Sequence, residues 1–249
     1  MLSKSLMNTK ANIITQFKNE IFSLQRFKTP LHSAVLDVGL QPIENAFPGA
    51  EFPLGSIHEF LCETIEDVAA TNGFIAGITS AFMRNGGVAI WISPTQTIFP
   101  PALKSFGISP EKVIFIDLQN EKEILWVIEE ALKCDGLSAV IGETRHLSLI
   151  TSRRLQLAVE KSLVTGFIIR TNRNNINATA CTARWRVKHL KTVSKNHLPG
   201  VGFPRFNIEL LKVRNGKPGK WKIEYSSNRL QEINENFYST REIQQLKTG

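Results

Sequence analysis

The apolar positions of this chain follow two periods in turn, and the change from one to the other is its main structural signal. Ile13, Ile14, Phe17, Ile21 and Leu24 recur at helical spacing with Lys18, Asn19 and Glu20 between them, which predicts an amphipathic helix over 11–25. The stripe of Ile13, Phe17, Ile21 and Leu24 needs a covering surface: a neighbouring molecule, a binding partner, or the chain's own core. Residues 28–54 are punctuated by Pro30, Pro42, Pro48 and Pro53 and read as a connecting arm. From Gly55 onward, short apolar runs alternate with segments of helical period. Strands are expected at 56–61, 88–93, 113–117, 138–141 and 166–170, and helices at 66–85, near 100–106, at 121–134 and at 148–162. Gly86-Gly87 stops the first of these helices, Pro100-Pro101 opens the second, and the acidic first turn of the third suits the helix dipole. Beyond residue 180 the period becomes two. Segments 183–190, 206–213 and 220–225 alternate as antiparallel strands covered on one face do, with a hairpin turn marked by Asn215-Gly216 and Pro218-Gly219. Residues 229–249 are polar and read as a frayed helix or disordered tail.

Strands separated by single helices make a parallel α/β sheet with right-handed connections. The expected organisation is an N-terminal helix and arm over 1–50, one α/β core over 51–228, and a polar C-terminal tail over 229–249. A hydrophobic share of 42% in 249 residues is enough to bury a core without disulfides or metals. No apolar run approaches the ~18 residues of a membrane helix, and the N-terminal segment lacks the apolar stretch of a signal peptide. Cys62, Cys134 and Cys181 are far apart with no Cys-x-x-Cys pattern, which points to a reduced cytoplasm and no metal site. The net charge of +8 is unevenly placed: residues 1–150 hold 11 Lys/Arg against 16 Asp/Glu, and residues 151–249 hold 19 against 6. The second half therefore faces a nucleic acid or an acidic protein surface, unless it is simply a soluble basic surface.

Specific segments sharpen this outline. Residues 53–61, PLGSIHEFL, resemble the strand that leads into the phosphate loop of the RecA recombinase core, of the form Pro-x-Gly-x-Ile-x-Glu-Ile/Phe. Residues 210–222, LLKVRNGKPGKWK, are similar to the β-hairpin segment of that core. Together with FPPALKSFGI, SRRLQLAVEKS and GVGFPRFNIELLKVRNGKPG they resemble the ImuA family, whose reduced core is shared with the division inhibitor SulA. The resemblance spans about residues 50–225. It implies a RecA-like core of the P-loop NTPase type, a parallel sheet extended by antiparallel strands and a β-hairpin.

Nucleotide chemistry can be checked against that resemblance position by position. A phosphate loop needs glycines so that backbone N–H groups converge, a Lys for the β/γ charge, and a Ser/Thr for Mg²⁺. The matching loop runs Cys62, Glu63, Thr64, Ile65, Glu66, Asp67, Val68, Ala69, Ala70, Thr71; it has no Gly and no Lys, and it carries three carboxylates. Thr64 or Thr71 can supply a hydroxyl, but nothing replaces the Lys. The stretch Ser93-Pro94-Thr95 lacks the family's catalytic Glu, Glu143 falls one position beyond the Walker-B Asp, and Thr171 stands where a γ-phosphate sensor is expected. No catalytic residue, cofactor or enzyme activity is therefore expected. The competing reading is a weak RecA-like ATPase in which Glu143 replaces the Walker Asp.

The remaining candidates are cationic. Lys212 and Arg214 match hairpin positions that in RecA filaments reach a neighbouring subunit's nucleotide, and here they are candidate contacts for DNA or a partner. Residues 170–177, carrying Arg170 and Arg173, occupy the place of the family's DNA-contacting loop; Arg184 and Arg186 share a strand face opposite Trp185, as a phosphate-contacting patch or a solvated face. His58 is expected to be a satisfied structural histidine, and Trp91, Trp126 and Trp221 core residues. The resemblance implies an accessory protein of damage-induced, SOS-regulated translesion synthesis that works with an ImuB-type polymerase relative and a DnaE-type polymerase. RecA and single-stranded DNA are further candidates. The alternative is a SulA-like division inhibitor that binds FtsZ.

Overall fold

The computed structural model describes residues 41–84, 86–96, 98–171, 177–192 and 202–233. These contain one nine-stranded sheet of order β3-β2-β4-β5-β1-β6-β7-β8-β9. The strands are β1 (Ile57–Leu61), β2 (Ala89–Ser93), β3 (Val113–Asp117), β4 (Ala139–Thr144), β5 (Thr165–Arg170), β6 (Ala183–Leu190), β7 (Arg205–Val213), β8 (Gly219–Ser226) and β9 (Arg229–Glu232). Pairings from β3 across to β6 are parallel; β6 to β9 form an antiparallel wing. The helices are α1 (Gln41–Glu44), α2 (Ile65–Met83), α3 (Glu121–Leu132) and α4 (Leu149–Ser162). This is the mixed, mostly parallel RecA-like α/β fold.

The strand order explains the layering. The step from β1 to β2 moves toward the β3 edge, whereas the steps from β3 to β4 and from β4 to β5 move back, and right-handed crossovers in opposite directions leave helices on opposite faces. Accordingly α2 packs on one face with Phe60, Trp91, Ile141, Phe167 and Trp185, while α3 and α4 pack on the other with Ile57, Ile90, Val140 and Ile168. Two glycines permit close approach. A Cβ on Gly142 of β4 would lie 2.2 Å from Ile128 of α3, and one on Gly77 of α2 would press on Tyr225 of β8 at 3.2 Å.

Several elements differ from the sequence reading. The segment after Pro100 is a 3₁₀ helix, Pro100–Phe106. Strand β4 continues through Glu143 to Thr144 and does not stop at Ile141. Part of the expected tail is the edge strand β9, because Leu230 is buried against Gly77 and Tyr225 lies opposite it. The arm is not a bare connection in its last third: Ile43, Phe47 and Phe52 are buried in the α2-side core. The helix expected over 11–25, with Ile13, Phe17, Ile21 and Leu24, lies outside the described residues, as do residues 234–249.

Candidate functional site

In open α/β sheets, ligands bind beyond the carboxyl ends of parallel strands. At that edge β1 ends at Leu61 and α2 begins at Ile65, so only Cys62, Glu63 and Thr64 connect them. The turn is closed by a capping box. The Asp67 backbone N–H donates to Thr64 Oγ1 at 3.2 Å, and Asp67 Oδ2 accepts from the backbone N–H groups of Glu63 at 3.1 Å and Thr64 at 3.3 Å. Asp67 is buried, while Glu63, Thr64 and Glu66 are exposed. Behind the box, the Cys62 thiol faces the Thr71 hydroxyl at 3.3 Å. Burial pushes the thiol up to about 12; the carboxylates of Asp67 and Glu143 push the same way and the Thr71 hydrogen bond opposes them. Glu143 sits at the end of β4, buried, with no hydrogen-bond partner at Oε2. Burial, and then the nearby Glu121, raise its pKa above the usual carboxylate range. Glu121 itself accepts from the backbone N–H groups of Arg145 at 2.7 Å and His146 at 3.0 Å, and from the Thr144 hydroxyl. The structure thus gathers Cys62, Thr64, Asp67, Thr71 and Glu143 at one corner, and leaves Glu63 and Glu66 at its rim. Among the described residues, no group of three or more His, Cys, Asp or Glu is placed to hold a metal ion.

The cationic candidates divide. Arg170 and Arg184 are not surface groups, which corrects the expectation of an open contact patch there. Glu59, fully buried in β1, accepts from Arg170 Nη1 at 2.7 Å through Oε1; through Oε2 it accepts from Arg184 Nε and the Thr179 hydroxyl, each at 2.7 Å. Arg170 is 1% exposed. A lone carboxylate inside the sheet must be compensated, and these two guanidiniums do so. Arg173 lies outside the described residues.

Arg186 is half-buried on the polar face of the wing, within 3.4 Å of both Glu63 and Glu209. It lines a shallow groove of about 190 Å³ with Lys188, Asn207 and Glu209. Lys220 pairs with Glu209 at 2.8 Å. Lys212 and Arg214 are exposed at the far end of the β6–β7 ladder, where Lys212 lies opposite Arg184. The opposite face of the wing is apolar and covered by α2 and the arm.

Sequence reasoning missed Thr179, and it passed over Glu59 as an ion-pair acceptor. The signal was present: a carboxylate between Ile57 and Phe60 in a strand buried on both faces demands cations. His58 is buried as expected. It accepts from Trp185 Nε1 at 3.3 Å through Nδ1, so Nε2 carries the proton, 2.8 Å from the Pro53 carbonyl. Trp91 is core, but Trp126 and Trp221 are only half-buried.

The sheet order, the two helical layers and the antiparallel wing define a RecA-like α/β protein. No family model matches the chain. It is 30% identical over 212 residues to Protein ImuA of Caulobacter vibrioides strain NA1000 / CB15N, an alignment covering 79% of this chain and 85% of that protein. Protein ImuA of the Caulobacter vibrioides strain ATCC 19089 / CIP 103742 / CB 15 aligns with the same identity and coverage. The chain belongs to the ImuA family. Among the described residues no helix is long and apolar enough to cross a membrane.

Proposed function

We propose that this chain is a non-hydrolysing RecA-like accessory protein of damage-induced mutagenesis, acting by binding other proteins. One observation carries the reading. At the N-terminus of α2, where a RecA-type enzyme presents backbone donors to phosphate, the chain's own Asp67 carboxylate takes those of Glu63 and Thr64. A triphosphate would meet Asp67, Glu63 and Glu66 at close range, and like charges at reduced dielectric repel by several kcal/mol. A scaffold without nucleotide chemistry works through its surfaces. The ImuA resemblance implies an ImuB-type polymerase relative and a DnaE-type polymerase as partners, with RecA and single-stranded DNA as further candidates. The exposed cations Lys212 and Arg214 are the proposed contact, with Arg186 and Lys188 further along the same ladder, opposite Glu209 and Asn207.

The experiment is ultraviolet-induced mutation frequency in a strain lacking the gene. Wild-type protein and the corner variant Glu143→Gln restore induced mutagenesis, whereas Lys212→Glu with Arg214→Glu does not, at equal protein levels. Loss of restoration by folded Glu143→Gln would return the corner to a nucleotide role. Full restoration by the Lys212/Arg214 reversal would remove the hairpin from the contact surface.

A further inference from the structure

The outward side of α4 has no role in the reading above. Inward, the helix buries Leu155, Ala158 and Val159. Outward, Ile150 is 74% and Leu157 59% exposed, with Leu149 beside them at 39%. Residues seven apart on a helix share a face about 10 Å apart, so Ile150 and Leu157 form two anchors on one stripe. Cations surround them: Arg153, Arg154 and Lys161 on the helix and Arg145 in the preceding loop, all exposed. Arg154 is held against α3 by Glu129. Glu160 is the one acidic residue of α4.

We propose that this face of α4 docks an acidic amphipathic segment of a partner protein, its apolar side on Ile150 and Leu157 and its carboxylates on Arg145 and Arg153. Charge decides between occupants. A second copy in a two-fold contact would set this cationic face against itself. The chain's own residues 1–40 hold Lys4, Lys10, Lys18, Arg26 and Lys28 against Glu20 and Asp37, a net positive charge that does not complement a cationic face. A nucleic acid would satisfy the arginines yet leave the two anchors wet, since phosphate contacts bury no aliphatic side chain. An amphipathic helix with apolar residues at i and i+7 and acidic flanks satisfies both sets, in the helix-on-groove mode of recognition. The proposal does not depend on the mutagenesis reading: it names a surface on the layer opposite α2.

The test is a photo-crosslinking amino acid at position 157 of the full chain in the native host, with position 104 on the α2 side as control, and sequencing of the captured peptide. The captured segment, synthesised and titrated calorimetrically against purified protein, is expected to be acidic and to bind more weakly at high salt. Ile150→Asp and Arg153→Glu should each weaken it about tenfold or more, with circular dichroism spectra unchanged. The proposal is overturned if position 157 captures nothing beyond the position 104 control. Capture of residues 1–40, a second copy, a nucleic acid or a basic segment overturns it equally. So does a captured segment indifferent to Ile150→Asp.

Discussion

Replacing Glu59 with Ala removes the buried carboxylate that Arg170 and Arg184 share inside the sheet. Three hydrogen bonds of 2.7 Å are lost, from Arg170, Arg184 and Thr179. Arg170, 1% exposed, then loses the Glu59 carboxylate that pairs with it at 2.7 Å, and its burial limits replacement by water. Breaking a buried pair by removing one partner costs about 3–5 kcal/mol, against a total stability of about 5–15 kcal/mol for a typical domain. At about 2–4 °C per kcal/mol for a domain of this size, the midpoint of thermal unfolding should fall by roughly 6–20 °C. Urea unfolding followed by circular dichroism gives the free energy directly, without the ionic strength that guanidinium adds. Because the penalty is an uncompensated charge and not a missing contact, Glu59→Leu combined with Arg170→Met and Arg184→Met should recover most of the loss. A cost below about 1 kcal/mol for Glu59→Ala, with an unchanged denaturant slope, would mean that Arg170 is compensated without Glu59.

The other expectations concern the same corner and the aromatic core. Glu143 has its pKa raised by burial and by Glu121, so the folded state holds its proton longer than the unfolded state. Its contribution to stability should be lost as pH rises from the ordinary carboxylate range to the raised value, opposing that of His58, so the stability difference between wild type and Glu143→Gln should change with pH in urea titrations between pH 4 and 7; a pH-independent difference would show the carboxylate to be solvated. His58 is lowered to about 4 by desolvation, so the unfolded state binds the extra proton. The His58 contribution to stability should decline as pH drops from about 6.5 toward 4, by up to about 3 kcal/mol, and a nuclear magnetic resonance titration should find His58 neutral at pH 5.5; a charged imidazole there would contradict its burial. Thr64→Ala should cost about 1 kcal/mol by opening the capping box, readable in the same unfolding assay, and no change would mean that the turn holds without it.

Much of the framework was legible because burial imposes period: Val113–Asp117 and Ala183–Leu190 fall where the apolar pattern places them. Pattern failed where polar residues enter strands for tertiary reasons. Gly142, Glu143 and Thr144 complete β4 because β5 lies alongside, and β9 exists because Leu230 has a place against α2 and β8. The corner residues were readable from the resemblance and the run of carboxylates. That Asp67 would fold back onto Glu63 and Thr64 follows from the Thr-x-x-Asp spacing, a variant of the capping box. The roles of Arg170 and Arg184 were not readable, since their acceptor lies 111 and 125 residues away and only the sheet order brings β5 and β6 to either side of β1. A cation beside a loop and a cation inside a sheet look alike in one dimension.

A RecA-like corner closed by its own capping box should take no nucleotide. Calorimetric titration of the purified full chain with Mg-ATP, paired with a phosphate-release assay, tests it most directly. The expected result is no saturable heat up to millimolar nucleotide and no phosphate release. Micromolar binding that Asp67→Ala or Glu143→Gln alters would contradict it.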